Sequence, residues 1–363
     1  MRNRIQSVDI LRGFTIAAMI LVNTPGDWNH VYAPLLHANW HGLTPTDLIF
    51  PFFLFIVGIS ISYAYKNAEN TRATYKKILI RSLKLIGLGL FLNIFIPYFP
   101  FVTDLSNVRI PGVLQRIGIV FFISSLLFLN FNWKTLFVIS LGTLSVYWLF
   151  TGFFPMPNGS LPTLDRAPNN WANYIDLQLL QNHTWQKYYD PEGLLSTIPS
   201  IVTCLFGILL GKILQIHADN KVNLLLLTAF SFLVIGYIWS IWYPVNKALW
   251  TGSFVFITAG YGTLFLTIIY YFSDEIQLNF GQIFKYAGTN AITIYFLSSL
   301  ISKCFYMIHI NETETIHSYV YNNYFFGIIG NPELASLLYA ASVTIFYLVL
   351  AYIMYRKKWI IKV

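Results

Sequence analysis

Polar residues that could transfer a proton are concentrated between residues 23 and 47. Asn23 ends one long apolar run, Asp47 opens the next, and His37 and His41 lie between them. Histidine is the side chain best suited to proton transfer near neutral pH. The clustering therefore predicts a site at which His37 or His41 acts on a reacting group. A loop histidine with no catalytic role is the alternative.

A second set of residues could bind an anion. Asp9 and Arg12 are three residues apart, so they share a helix face and can pair. Arg12 could equally contact a phosphate-bearing cofactor, which suits a guanidinium group. Arg116 lies inside an apolar run, where an unpaired charge costs about 3 kcal/mol, so it needs an acidic partner, a carbonyl cage or a bound anion. Asn290 is a further polar residue inside an apolar run. Arg12, Arg116 and Asn290 are thus the candidate cofactor contacts.

A third set could bind a sugar. The segments 24–46 and 152–193 are rich in Trp, Tyr, Asn, Pro and His. Aromatic faces stack on sugar rings, which makes Trp40 a candidate contact, although anchoring at the membrane interface is the alternative. Asp190 and Glu192 open a later apolar run, where acidic residues are also ordinary helix N-terminal chemistry. Together with Asp47 they are candidate contacts to a polar substrate.

The elements that position these residues are predicted to be membrane helices. Of the 363 residues, 56% are hydrophobic and 10% charged, whereas soluble proteins have about 25% charged residues. This excludes a soluble enzyme, a disordered chain and a coiled coil. In hydrocarbon the backbone must satisfy its own hydrogen bonds, so the apolar runs are helices. We predict an all-α, polytopic membrane protein with one domain over residues 1–363 and about ten spans. They cover 8–24, 47–65, 78–98, 110–130, 134–152, 194–217, 221–243, 251–272, 286–308 and 333–355.

The positions of the basic residues predict the orientation. With both termini in the cytosol, 16 Lys and Arg residues fall on the inner side and 5 on the outer side, as the positive-inside rule requires. The loops 24–46 and 152–193 then lie outside. The net charge of +8 does not indicate nucleic acid, because the basic residues stand at the ends of apolar runs. The run after Arg2 and Arg4 is expected to be a retained first helix rather than a cleaved signal.

The motifs that carry these residues resemble the heparan-alpha-glucosaminide N-acetyltransferase family. They are S-V-D-I-L-R-G, I-L-V-N, H-A-N-W-H-G-L-T-P-T-D-L-I-F-P, R-I-P-G-V-L-Q-R-I, D-P-E-G-L-L-S-T-I-P and G-T-N-A-I-T-I-Y-F-L-S. The resemblance covers nearly the whole chain in one order. It implies a bare membrane core without the lumenal domain of the lysosomal enzyme, in a bacterial inner membrane. Family members can be dimeric, so a homodimer stays open.

The resemblance also implies a reaction. Acetyl-CoA would bind from the cytosol and an amino sugar or glycan would accept the acetyl group on the other side, without a metal. The family's catalytic histidine matches His37, whereas His41 stands where the family has asparagine. The catalytic asparagine matches Asn23. His37 would take the proton of the attacking amine or carry the acetyl group transiently, and Asn23 could donate to the oxyanion.

Two other functions remain open on the same residues. The first is O-acylation of a cell-envelope glycan, which these side chains would serve equally well. The second is a transporter or flippase, to which ten spans and an aromatic rim are also suited. Transporters commonly show internal repeats, and the sequence has no convincing one, so acyl transfer is favoured.

Overall fold

The fold consists of α-helices. The computed structural model describes residues 5–186, 189–216 and 220–361, and in these ranges it has fourteen α-helices and no β-strand. The all-α prediction is confirmed. The helices are α1 (Gln6–Asn23), α2 (Ile49–Ala64), α3 (Arg72–Ile94), α4 (Val113–Asn130), α5 (Trp133–Phe153), α6 (Trp171–Leu180), α7 (Leu194–Leu214), α8 (Lys221–Trp239), α9 (Gly252–Tyr270), α10 (Gln282–Thr289), α11 (Ala291–Met307), α12 (Ile316–Tyr321), α13 (Gly327–Ile329) and α14 (Pro332–Arg356).

Nine of the ten predicted apolar runs each fall on one helix, and the run 286–308 is divided between two. Seven of the described helices are long and apolar enough to cross a membrane, which confirms the polytopic class. They comprise α2 with its preceding turn, α4, α5, α7, α8, α9 with its π-helical extension to Glu275, and α14. The other three runs form helices of different character. α1 contains Asp9 and Arg12, α3 contains five basic residues, and α11 has only 17 residues.

The predicted run 286–308 is not one helix. It begins inside α10. The helix is interrupted at Asn290, whose φ is −123°, and α11 starts at Ala291. The Asn290 side chain explains the break, because it binds the backbone of the C-terminal segment instead of continuing the helix pattern. Its Nδ2 donates to the carbonyl oxygen of Trp359, and its Oδ1 accepts from the amide of Ile361.

The predicted orientation stays a prediction. Four of the basic residues on which it rests, Arg2, Arg4, Lys187 and Lys362, lie outside the described residues.

The helices of the bundle differ in how deeply they are buried. In the apolar windows of the spans formed by α2, α7 and α9, 67%, 72% and 78% of the residues are buried, against 17% in α8 and 28% in α14. The first three helices therefore form the core, and the last two expose apolar side chains as lipid-facing helices do.

Glycines allow the central helices to pack closely. A Cβ placed on Gly58 of α2 would lie 1.9 Å from the carbonyl oxygen of Cys204 in α7. A Cβ on Gly207 of α7 would lie 2.0 Å from the carbonyl oxygen of Phe55. Small residues at membrane helix interfaces permit such backbone contact. α2, which follows Asp47, thus packs directly against the backbone of α7.

Glycines also allow α1 to pack closely against α10. A Cβ on Gly13 would lie 1.7 Å from the carbonyl oxygen of Phe284, and one on Gly288 would lie 2.0 Å from that of Asp9. Since Arg12 is the neighbour of Gly13, this contact places its guanidinium group beside the end of α10.

Candidate active site

The structure pairs His37 with Asp47. The imidazole Nδ1 of His37 lies 2.7 Å from Oδ1 of Asp47. The Asp47 side chain is 1% exposed and that of His37 is 50% exposed. A carboxylate accepts, so Nδ1 is the donor in this contact, and in a neutral imidazole Nε2 is then the nitrogen with the lone pair. The contact with Asp47 therefore orients the ring of a half-exposed histidine.

Asp47 is the centre of a small hydrogen-bond network. Its Oδ2 accepts from the backbone amides of Ala38 and Thr44 and from the Thr44 hydroxyl, at 3.0–3.1 Å. It also forms a capping box with Thr44 at the helical turn that leads into α2. With both oxygens engaged, Asp47 is placed to orient His37. This arrangement differs from the substrate contact expected for Asp47 from the sequence.

Lys247 is the second charged group at His37. It lies in the loop between α8 and α9, and its Nζ is 3.1 Å from Nε2 of His37 and 3.7 Å from Oδ1 of Asp47. Burial lowers the pKa of Lys247, and the charges of Asp47 and Glu192 oppose that shift. Sequence reasoning missed its role. The available signal was a lone lysine in an outer loop, where the positive-inside rule disfavours one.

His41 has a different environment from His37. Its Nε2 lies 3.1 Å from Oδ1 of Asp165, and its Nδ1 lies 3.3 Å from Nδ2 of Asn246. Both ring nitrogens are thus engaged, and the ring joins the loop 24–46 to two other loops. Geometry therefore favours His37 over His41 as the base, in agreement with the motif match.

Trp40 helps to fix the same loop. Its Nε1 donates to the carbonyl oxygen of Leu164 at 2.9 Å, and its ring meets that of Tyr189 edge to face at 5.4 Å. Its backbone oxygen accepts from Asn246. Trp40 is partly exposed, so one part of the indole is available to a sugar while the rest holds the loop that carries His37.

Asn23 lines a cavity of about 500 Å³, which we call the outer cavity. It lies at the C-terminal end of α1 and is also lined by Arg109, Trp185, Tyr295 and Lys303. The Asn23 side chain is exposed, and its amide forms no hydrogen bond to another described residue. It is therefore free to donate to a bound molecule.

Asp190 and Glu192 bind Arg109 at the edge of the outer cavity. Asp190 accepts from Nε and Nη2 of Arg109 at 2.8 and 2.6 Å, and Glu192 accepts from the same Nη2. Burial opposes the charge of Arg109, but these carboxylates outweigh it and raise its pKa above the ordinary value. The two acids, expected to contact the acceptor, are instead engaged with Arg109, and that guanidinium faces the cavity.

Arg116 is fully buried near the same charges. Its Nη2 donates to the carbonyl oxygen of Gly193 and to the Ser196 hydroxyl, and its guanidinium carbon lies 5.1 Å from the centre of the Trp250 ring. Its Nε and Nη1 have no hydrogen-bond partner among the described residues. Of the environments expected from the sequence, the carbonyl contact is present. The structure places Arg116 with the start of α7 and not with Arg12, and the cofactor role expected for it stays a prediction.

Arg12 and Arg81 line a second cavity of about 490 Å³, which we call the inner cavity. Arg12 forms the expected pair with Asp9 at 2.7 Å, and its Nη2 donates to the Ser60 hydroxyl at 2.8 Å. Arg81 lies over the Phe121 ring at 4.8 Å and has no acidic partner among the described residues. Two guanidinium groups at one cavity suit a polyanion.

Asn290 also lines the inner cavity. Both ends of its amide bind the C-terminal segment, and Ile360 and Ile361 of that segment form part of the cavity wall. Asn290 therefore shapes the cavity expected to hold the cofactor by fixing one of its walls.

Residues of α1 and α11 line both cavities. α1 contributes Arg12 to the inner and Asn23 to the outer cavity, and α11 contributes Ile292 to the inner and Tyr295 to the outer. Three residues of helix correspond to about 4.5 Å. Along α11 the two cavities are therefore less than one helical turn apart.

The fold and these sites define a polytopic helical membrane protein. Its two cavities lie along α1, one with two arginines and one with an asparagine, and a histidine–carboxylate pair precedes α2. The chain belongs to the heparan-alpha-glucosaminide N-acetyltransferase family, because residues 4–237 match the family model described as "Heparan-alpha-glucosaminide N-acetyltransferase, catalytic". The family resemblance of the motifs is thereby confirmed.

Two relatives give the extent of the similarity. The heparan-alpha-glucosaminide N-acetyltransferase of Mus musculus is 31% identical, over 81% of this chain and 53% of the mouse protein. The protein of that name from Homo sapiens is 29% identical, over 98% of this chain and 59% of the human protein. The chain thus spans little more than half the length of these relatives.

Proposed function

We propose that this protein transfers an acetyl group from acetyl-CoA to the amine of an amino sugar or glycan across a bacterial inner membrane. The observation that carries the proposal is the His37–Asp47 pair, in which Nδ1 is held at 2.7 Å and Nε2 is left as the base. It stands in a chain whose relatives are named N-acetyltransferases.

The donor is proposed to enter through the inner cavity. The phosphates of acetyl-CoA are too strongly charged to enter hydrocarbon without partners. Arg12 and Arg81 offer two guanidinium groups at this cavity, and phosphate binding by arginine is strong because the fork of N–H donors matches its oxygens. The acetyl group would then point along α1 towards Asn23. The predicted topology puts the inner cavity on the cytosolic side.

The chemistry follows from the orientation of His37. A neutral amine attacks the thioester carbonyl, and Nε2 of His37 takes its proton as the C–N bond forms. The unengaged amide of Asn23 donates to the developing oxyanion. The protonated His37 then returns the proton to the departing sulfur. An acetyl-histidine intermediate on Nε2 is the two-step variant of this route.

The test uses the purified protein in detergent with radiolabelled acetyl-CoA and two probes, glucosamine and N-acetylglucosamine. We expect transfer to glucosamine. His37→Ala should reduce the rate by about 10²–10⁴-fold, because it removes the general base, with little change in acetyl-CoA affinity. His41→Ala is the matched control. It should reduce the transfer rate far less, because both ring nitrogens of His41 are engaged in contacts between loops.

Two outcomes would contradict the proposal. Transfer to N-acetylglucosamine, with or without transfer to glucosamine, would assign O-acylation, because that probe has hydroxyls but no free amine. If His41→Ala abolished transfer and His37→Ala did not, the assigned base would be wrong.

A further inference from the structure

Lys247 places an amine against the imidazole of His37. Its Nζ lies 3.1 Å from both Nδ1 and Nε2, so it is equally close to the two ring nitrogens. The side chain is 19% exposed. The mechanism proposed above assigns no role to this amine, although it touches the proposed base directly.

The loop that carries Lys247 is held in place on both sides. The preceding Asn246 is fully buried, and its Oδ1 accepts from the amide of Leu249 while its Nδ2 donates to the carbonyl oxygen of Trp40. The amide of Gly42 donates to the carbonyl oxygen of Val245. The loops of Lys247 and His37 are therefore joined by backbone contacts, so the approach of Nζ to the imidazole is built into the fold.

Burial lowers the pKa of Lys247, and the charges of two carboxylates oppose that shift. Asp47 lies 3.7 Å from Nζ, and the charge of Glu192 also favours the ammonium form. Arg116 is the nearby cation that opposes it. Asp47 is thus the carboxylate that lies close to both the amine and the imidazole.

We propose that Lys247 is a further catalytic residue, whose ammonium group donates to the oxyanion formed when the acceptor amine attacks the thioester. This inference rests on the proposed acetyl transfer. An amine that gives its proton to Nε2 must come within about 3 Å of it. The thioester oxygen then lies two bonds from that amine, within reach of Nζ. Asp47, 3.7 Å from Nζ, is close enough to hold Lys247 beside the imidazole as the amine arrives.

The step is balanced without a proton from Lys247. The C–N bond forms and the C–S bond breaks, and the proton of the amine passes to Nε2 of His37 and then to the CoA sulfur. Lys247 stays protonated and stabilises negative charge on the carbonyl oxygen while the tetrahedral intermediate exists. Asn23 is the neutral donor and Lys247 the charged one.

Lys247→Met tests the inference, because it keeps an unbranched side chain and removes the charge. Loss of one oxyanion donor typically lowers kcat by about 10²–10³-fold, and we expect this loss with acetyl-CoA affinity unchanged. Lys247→Arg retains the charge, and its kcat should lie between that of Lys247→Met and that of the wild type. Lys134→Met is the matched control, since Lys134 lies at the start of α5 over the Trp133 ring, and it should have the wild-type rate.

A rescue experiment separates catalysis from folding. Lys247→Cys treated with bromoethylamine gains a thioether analogue of lysine, and activity should return. The wild type, with Cys204 and Cys304, receives the same treatment as the control. Full kcat in Lys247→Met, no rescue in folded Lys247→Cys, or an acetyl group found on Lys247 by mass spectrometry would overturn the inference. If the wild type and Lys134→Met showed no transfer at all, the proposed function itself would fail.

Discussion

Arg12 and Arg81 line the same cavity but differ in the partners that already bind them. Arg12 is paired with Asp9 at 2.7 Å, so part of its charge is neutralised before any ligand arrives. Arg81 has no carboxylate partner among residues 5–186, 189–216 and 220–361. An anion that enters the inner cavity therefore gains more from Arg81.

This difference predicts an order of effects on acetyl-CoA binding. Arg81→Gln should weaken binding more than Arg12→Gln, and both losses should shrink as salt is raised, because screening reduces the attraction that each variant removes. Binding can be measured by calorimetry in detergent at two salt concentrations. Arg72→Gln, at the exposed start of the same helix as Arg81, is the control. Equal affinity in all three variants would rule out phosphate binding at the inner cavity.

Individual residues of the candidate site could be predicted only where one segment contains the whole signal. His37 and Asn23 follow from motifs within 25 residues of each other. The contact between Lys247 and His37 joins positions 210 apart in the chain, and no local pattern encodes it. The substrate contact predicted for Asp47 stays a prediction. Its contact with His37 was not predicted, because that contact depends on how the loop folds back onto the carboxylate.

At the scale of elements, the close contact between α2 and α7 is expected to contribute to the stability of the helices that carry the site. Gly58→Leu would drive a side chain into the backbone of α7, where a Cβ alone would already be 1.9 Å from an oxygen. Overpacking of this kind costs about 1–3 kcal/mol or more. We expect a lower midpoint of thermal unfolding in detergent and less monodisperse protein.

Gly142→Leu provides the control for that prediction. A Cβ on Gly142 of α5 would meet nothing within 4 Å, so the same substitution should leave the midpoint unchanged. A shift of similar size in both variants would mean that the effect comes from glycine replacement in general and not from the α2–α7 contact.

Most elements could be predicted because hydropathy alone selects membrane helices. The ten apolar runs all fall on helices, although 286–308 is divided between α10 and α11. In contrast, α6 in the loop 152–193 was missed because it has only ten residues. The break at Asn290 was missed for another reason. It depends on a hydrogen bond to Ile361, 71 residues away, and the apolar run continues across it.

At the scale of the molecule, the proposed mechanism requires the two cavities to face opposite sides of the membrane. Asn158 is exposed in the loop 152–193, and Glu69 is exposed in the loop between α2 and α3. We expect Asn158→Cys to react with a membrane-impermeant maleimide in intact cells, and Glu69→Cys to react only after lysis. The unmodified chain gives the background from Cys204 and Cys304. The reverse labelling pattern would contradict the orientation and the sidedness of the donor.

The spacing along α1 has a consequence for the donor. Arg12 and Asn23 are eleven residues apart on one continuous helix, which corresponds to about 16 Å. The glycine contacts at Gly13 and Gly288 leave α1 no room to slide against α10. On the proposed mechanism the helix acts as a fixed ruler. It would select a donor by the length of the arm between phosphate and thioester, and a truncated carrier would leave its acetyl group short of Asn23 however tightly its phosphates were bound.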